Sequence, residues 1–241
     1  KVDKVGYIAG VDCGATKIMV QSGMLCSDRG KIIPGQINNE YYYYDHPDWD
    51  EHFNPVSLDI QLSEFSSDKI SLTNKEVKQG NVIIDTILQS FTEIDNYKIG
   101  LCFPGLKSQN GIAVMANGPR IPDMKNRLNK IKTIFNDSDC CVIGEWKSTI
   151  GKMQDMDNCI YIGGGTGIAD GVIINGQLLD LNKIKELPRS WEINISSNET
   201  VESCLSPAGM IEKHNEIYNT RVKTLIELSN EKSFNDIFDK A

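Results

Sequence analysis

Long hydrophobic runs are missing from this sequence. Nothing approaches the ~18 apolar residues of a membrane span, and the N-terminal "KVDKVGYIAGV" has too short an apolar stretch for a secretory signal. Basic runs are missing too. Acidic residues outnumber basic ones by 33 to 25, both kinds are scattered, and the formal net charge of −8 argues against nucleic-acid binding. Histidine occurs three times, and the seven cysteines show neither CxxC spacing nor a histidine-rich partner segment, so no zinc is expected. Cysteines of this kind suit a reduced, cytoplasmic setting. The chain also begins without methionine, as a trimmed or partial sequence would.

What remains is ample for a core. At 40% hydrophobic residues, 241 residues can build one large domain or two small ones. Residues 5–11, 16–25 and 30–37 are expected to be three successive strands, bounded by glycine and short polar turns. A polar and aromatic excursion, "NNEYYYYDHPDWDEHFNP", follows as a loop with some strand character. Val77, Ile84, Ile87, Leu88 and Phe91 then fall largely on one face of a helix over 75–93, and "YKIGLCFPG" returns as a buried strand. Further on, "KIKTIF" predicts a short strand and "SDCCVIGEWKSTIGKM" a helix. "NCIYIGGGTGIADGVIINGQLL" predicts two strands around a glycine turn, with a third after Asn175-Gly176, and the chain is helical from Ser206 with Pro207 in a first turn.

Two glycine turns between strands raise a chemical question. Asp12-Cys13-Gly14-Ala15-Thr16-Lys17 is either an ordinary hairpin turn or a loop that offers backbone N–H groups and a hydroxyl to phosphate, and Gly165-Thr166-Gly167 poses the same choice. Asp12 could not bind phosphate directly; it could hold Mg²⁺ through water. In "TIFNDSDCCVIGEWK", Asn136 and Asp137 lie where a strand runs into a helix, as an N-cap or as a carboxylate poised for proton transfer, with Asp139 and Glu145 as alternatives farther along. "YYYYDHPDWDEHF" suits either a carbohydrate-stacking lid or a packing and dimer surface.

Taken in order, "GVDCGATKI", "IGLCFPG", "FNDSDCCVIGE", "IGGGTGIADGVIINGQL" and "VESCLSPAGM" resemble motifs of the ROK family, within the sugar kinase, actin and heat-shock ATPase superfamily. The resemblance covers residues 5–23 and 97–215. It implies an α/β, actin-like (ribonuclease H-like) fold of two lobes around a central cleft, with lobes at 1–133 and 134–241. It also implies an ATP- and Mg²⁺-dependent kinase that phosphorylates a hydroxyl of a hexose or N-acetylhexosamine. Asp137 matches the family's catalytic base. Gly14, Thr16, Lys17, Gly165, Thr166 and Gly167 match its phosphate contacts, Asp12 its water-mediated Mg²⁺ ligand, and Asn117, Asn136, Asp137, Glu192 and Glu202 its sugar side.

The match also has gaps. Ile195 stands where the family has histidine, its zinc-binding cysteine cluster is absent, and Arg120 is unexpected beside Asn117. The family's adenosine-binding segment would lie beyond "SFNDIFDKA". A non-catalytic sugar sensor and an ATPase without a sugar substrate are the rival readings. A DNA-binding repressor would need a helix-turn-helix ahead of the first strand. The expected partners are a small sugar and a possible second copy of the chain, with neither membrane nor nucleic acid.

Overall fold

The computed structural model describes residues 6–26, 30–164, 167–180, 184, 187–197, 199–231 and 233. It divides into two compact units, one of Lys1–Cys140 and Gly144–Gln154, the other of Cys141–Ile143 and Asp155–Ala241.

The first unit is built on β1 (Gly6–Cys13), β2 (Lys17–Cys26) and β3 (Lys31–Tyr42), an antiparallel meander. β3 runs past residue 37 because Tyr41 and Tyr42 still pair with Ile18 and Lys17. β4 (Lys98–Cys102) and β7 (Ile134–Phe135) join in parallel, giving the mixed order β3-β2-β1-β4-β7. Parallel strands need a crossover. That connection holds α1 (Leu58–Ser66), which the sequence reading did not foresee, and α2 (Asn74–Ser90), which a Thr73/Glu76 capping box starts. The buried face of α2 centres on Ile83, Ile84 and Ile87, and leaves Val77 and Leu88 exposed at its flank. Those isoleucines pack with Val11, Ile18, Val20, Leu101 and Phe103 in one core.

After β4, Gly105 adopts φ +85°, and a Cβ there would lie 2.3 Å from Val114 O, so only glycine makes this turn. The turn folds β5 (Leu106–Lys107) back on β6 (Ile112–Val114). A short α3 (Met124–Arg127) follows, then β7 and α4 (Asp137–Lys147). α4 stops before the expected Met153, since Ser148 is extended and bridges to Ile32.

The second unit is an antiparallel sheet of β8 (Cys159–Gly164), β9 (Ile168–Ile174) and β10 (Gln177–Leu178). Asn175 and Gly176 at φ 50° and 69° make the tight β9–β10 turn. α5 (Val201–Leu205) precedes α6 (Pro207–Tyr218), with Ser206 capping and Pro207 in the first turn, and α7 (Leu225–Ser229) follows. His214 is fully buried and both ring nitrogens are satisfied, by Thr220 and Ser233, so it is a core histidine. Among the described residues no helix is long and apolar enough to cross a membrane, and all seven cysteines are free thiols.

Candidate active site

β1, β4 and β7 run in parallel and end at the same edge of the sheet, the edge at which α/β sheets bind ligands. Each is followed there by a residue cluster singled out above. After β1, strand alternation buries Val11 and Cys13 and leaves Asp12 exposed. The turn at 14–16 is tight, with the Gly14 amide donating to Lys17 O at 2.9 Å. Tyr43 fastens it from below: its hydroxyl donates to Gly14 O and its amide to Thr16 O, both at 3.2 Å. Burial, then the charges of Cys13 and Asp12, push that phenol far above its usual pKa, so it stays a donor. Gly14 lies outside the left-handed region, and its nearest neighbour to a Cβ is 3.4 Å away. Backbone geometry therefore does not demand this glycine. What it supplies is bare, exposed main chain, as close approach by a ligand requires.

Lys17 donates to Glu40 Oε1 at 2.5 Å. This bond raises the lysine pKa and, with the Tyr42 hydroxyl, lowers that of Glu40. Thr16 is exposed.

After β4 and β7, the groups interlock. The buried Cys102 thiol donates to Asp12 Oδ1 at 3.1 Å. Its own pKa is driven far up, first by its hydrogen bond with Cys140, then by burial and Asp12. Asn136 occupies the N-cap position of α4 but makes no side-chain cap bond, because Oδ1 accepts from the Lys107 ammonium. Asp137 is therefore not the cap. It sits at the first helical position, exposed, with Oδ1 accepting from the Ser138 amide at 2.9 Å. Of the alternatives, Asp139 stays in the same first turn, while Glu145 accepts from the Lys152 amide at 2.7 Å and closes a turn.

Lys107 was missed in the sequence, although a lysine just after the apolar "GLCFPGL" was a visible signal. Its ammonium also donates to Gly105 O at 2.9 Å. Burial pulls its pKa down to about 8, against Asp137, Cys102, Asp139 and Cys140, which hold it up.

Asn117 is exposed and lines a pocket together with Gly14, Trp49, Asp50 and Phe103. The structure thus brings Asn117 to the first glycine turn. The unexpected Arg120 lies 1% exposed below it. Its guanidinium donates to both oxygens of Glu76 at 2.7 and 3.0 Å, to Ser71 O at 3.1 Å and to Glu64, so it is a brace and not a ligand group.

In the second unit, Gly165 and Thr166 lie outside the described residues. Glu202 Oε2 accepts from the Ile168 amide at 2.6 Å, and a Cβ on Gly167 would lie 2.6 Å from its Oε1. The glycine is what lets this carboxylate reach the turn. Glu192 Oε2 accepts from the Arg189 amide at 2.9 Å. Two residues the sequence did not flag hold that segment: buried Asp170 accepts from Arg189 Nε at 2.7 Å and the Ser190 amide at 2.8 Å. Glu192 and Glu202 thus serve different backbone donors.

The residues test differently for Mg²⁺ and for a dedicated metal. Among the described residues, no three histidine, cysteine or carboxylate side chains group to hold an ion. An exposed single carboxylate such as Asp12 fits an ion that keeps most of its water and is shared with phosphates, the usual habit of Mg²⁺.

The chain matches no family model, and no curated protein matches it. Solved structures do. A ROK family protein from Streptococcus pneumoniae TIGR4 in complex with sucrose is 16% identical, with a TM-score of 0.60 over 97% of this chain and 70% of that one. A ROK family glucokinase from Streptomyces griseus in complex with glucose and AMPPNP is 17% identical, with a TM-score of 0.51 over 89% and 62%. A ROK family transcriptional regulator, a homologue of the E. coli MLC protein, is 13% identical, with a TM-score of 0.57 over 97% and 59%. At these identities the likeness is one of fold. The chain has the α/β, actin-like ATPase fold that ROK sugar kinases and regulators share.

Proposed function

We propose that the chain is an ATP-dependent carbohydrate kinase that transfers the γ-phosphate to a hydroxyl of a hexose or N-acetylhexosamine. The observation that carries this reading is the convergence of Asp12, Lys107, Asn136 and Asp137 at the carboxyl edge of β1, β4 and β7. Phosphoryl transfer needs positioning and charge stabilisation more than covalent help. Asp137 is the base that takes the proton of the attacking hydroxyl, and its free exposure at the first turn of α4 suits that role. Asn136, locked by Lys107, and Asn117 bind sugar hydroxyls, with Glu192 and Glu202 as further sugar contacts. Gly14, Thr16, Lys17, Gly165, Thr166 and Gly167 contact the phosphates. Asp12 holds Mg²⁺ through water, and the ion supplies charge neutralisation at the phosphates. The setting is cytoplasmic, and a homodimer is the assembly to look for.

A non-catalytic sugar sensor is the second reading. A transcriptional regulator shares the fold, and Glu40 already engages the Lys17 ammonium. ADP release from Mg-ATP across a panel of hexoses and N-acetylhexosamines separates the two. Sugar-dependent turnover that falls about 100-fold or more in Asp137→Asn supports the kinase and its base. Sugar binding with no turnover supports the sensor and removes the catalytic role from Asp137.

A further inference from the structure

The aromatic excursion between β3 and α1 divides into two parts with different tasks. Tyr43 is buried core, tied to the glycine turn through its hydroxyl. Trp49 stacks on it with ring centroids 5.6 Å apart at 22°, yet stays partly exposed and lines the pocket. The next residue is fixed more firmly still. Gln79, 2% exposed on α2, accepts from the Asp50 amide at 3.1 Å and donates back to Asp50 O at 3.2 Å, as a strand partner would. Asp50 Oδ1 accepts from the His52 amide at 3.0 Å, and Oδ2 has no partner among the described residues. A buried glutamine spent wholly on one surface turn makes that turn a preorganised wall.

The pocket lies entirely within the first unit. Phe103 and Met115 give it an apolar floor, Trp49 an aromatic side, and Asp50, Glu51, Gln79 and Asn117 its polar side chains. No cationic side chain lines it among the described residues. We infer that this pocket seats an uncharged hexose ring, its C–H face against Trp49 and a hydroxyl donated to Asp50, and that it rejects anionic sugars. A carboxylate only accepts hydrogen bonds, so hydroxyl-bearing rings satisfy it and a second carboxylate or a phosphate on the sugar is repelled. The inference rests on the carbohydrate reading above and names the part of the chain that selects the sugar.

The test has one arm without nucleotide and one with it. Glucose, mannose and glucuronate are titrated against the intrinsic fluorescence of the full chain, which has three tryptophans. The same sugars are then assayed for KM in ADP release. The hexoses quench saturably and glucuronate does not. Trp49→Phe, which keeps a ring on Tyr43, removes most of the quenching. Asp50→Asn weakens hexose binding roughly tenfold, the cost of losing a charged acceptor, and narrows the discrimination against glucuronate, with the loss appearing in KM. Hexose affinity within about twofold of wild type in both variants overturns the inference, as does the absence of saturable quenching by any hexose. Sugar-dependent turnover with unchanged KM in the variants sinks this pocket and leaves the kinase. Quenching that obeys the variants without any turnover supports the pocket and sinks the kinase.

Discussion

Replacing Lys107 by methionine should make the protein more stable and less active. Burial lowers the ammonium's pKa from 10.5 to about 8, even with Asp137, Cys102, Asp139 and Cys140 pulling the other way. A shift of that size corresponds to about 3 kcal/mol of strain in the folded state at neutral pH. The hydrogen bonds to Gly105 O and Asn136 Oδ1 are lost with the lysine and offset roughly 1 kcal/mol each. The methionine variant should therefore gain about 1 kcal/mol at pH 7. The pH dependence has a definite sign. Between pH 8 and 10.5 the unfolded chain still holds a proton that the folded chain has released, so wild-type stability rises through that window while the variant lacks this contribution. Urea unfolding of both proteins at pH 7 and near pH 10 reads the difference directly, since other titrating groups cancel between them. Turnover should fall tenfold or more, roughly the worth of a charged hydrogen bond, because Asn136 loses its partner beside Asp137. A variant less stable than wild type at pH 7, with a gap that does not move with pH, would refute the reasoning.

Arg120→Met should cost about 3–5 kcal/mol in urea unfolding, because Glu76 is left charged and buried. Burial pushes the Glu76 pKa up, but Arg120 and the Thr73 amide outweigh it and hold it below 4.5, so the wild type keeps this stabilisation above that pH and loses it as pH falls through the lowered pKa; acid unfolding of the two proteins should converge. Glu202→Ala should speed hydrogen exchange at the Ile168 amide, while Glu202→Gln, which keeps an acceptor, should largely preserve protection; equal exchange in all three proteins would remove Glu202 from that turn.

The elements most legible in the sequence were those set by local pattern. The β1–β2–β3 meander and the β8–β9–β10 sheet follow from alternation and from turn residues such as Asn175-Gly176, which specify their geometry locally. α1 was not legible, since Leu58, Ile60 and Leu62 are all exposed and its buried residue is Gln61, whose side-chain amide donates to Met115 O and accepts from the Met115 amide. No apolar period marks such a helix. At the candidate site, residue types were readable and pairings were not. Asn136 and Asp137 stood out as cap or base, but that Asn136 turns its oxygen to Lys107 depends on a hairpin whose lysine lies 29 residues upstream. Arg120 looked out of place because its partners, Glu64 and Glu76, lie on two helices that only the tertiary fold brings to it.

Each glycine turn already presents a donor to an anionic oxygen. In the first, Glu40 holds the Lys17 ammonium at 2.5 Å with both side chains about one-third exposed, at 33% and 35%. In the second, Glu202 holds the Ile168 amide at 2.6 Å. A carboxylate and a phosphate ask the same thing of such a donor, so the geometry that satisfies one is ready for the other. The cost of exchange differs. Solvent screens the Lys17–Glu40 pair, and an exposed ion pair contributes little, so a phosphate can take the lysine cheaply. The Ile168 amide is fixed backbone, and freeing it means moving Glu202 off a glycine that was needed to admit it. Under the kinase reading, the first turn therefore exchanges its carboxylate readily, and the second turn exchanges its own only at a higher cost.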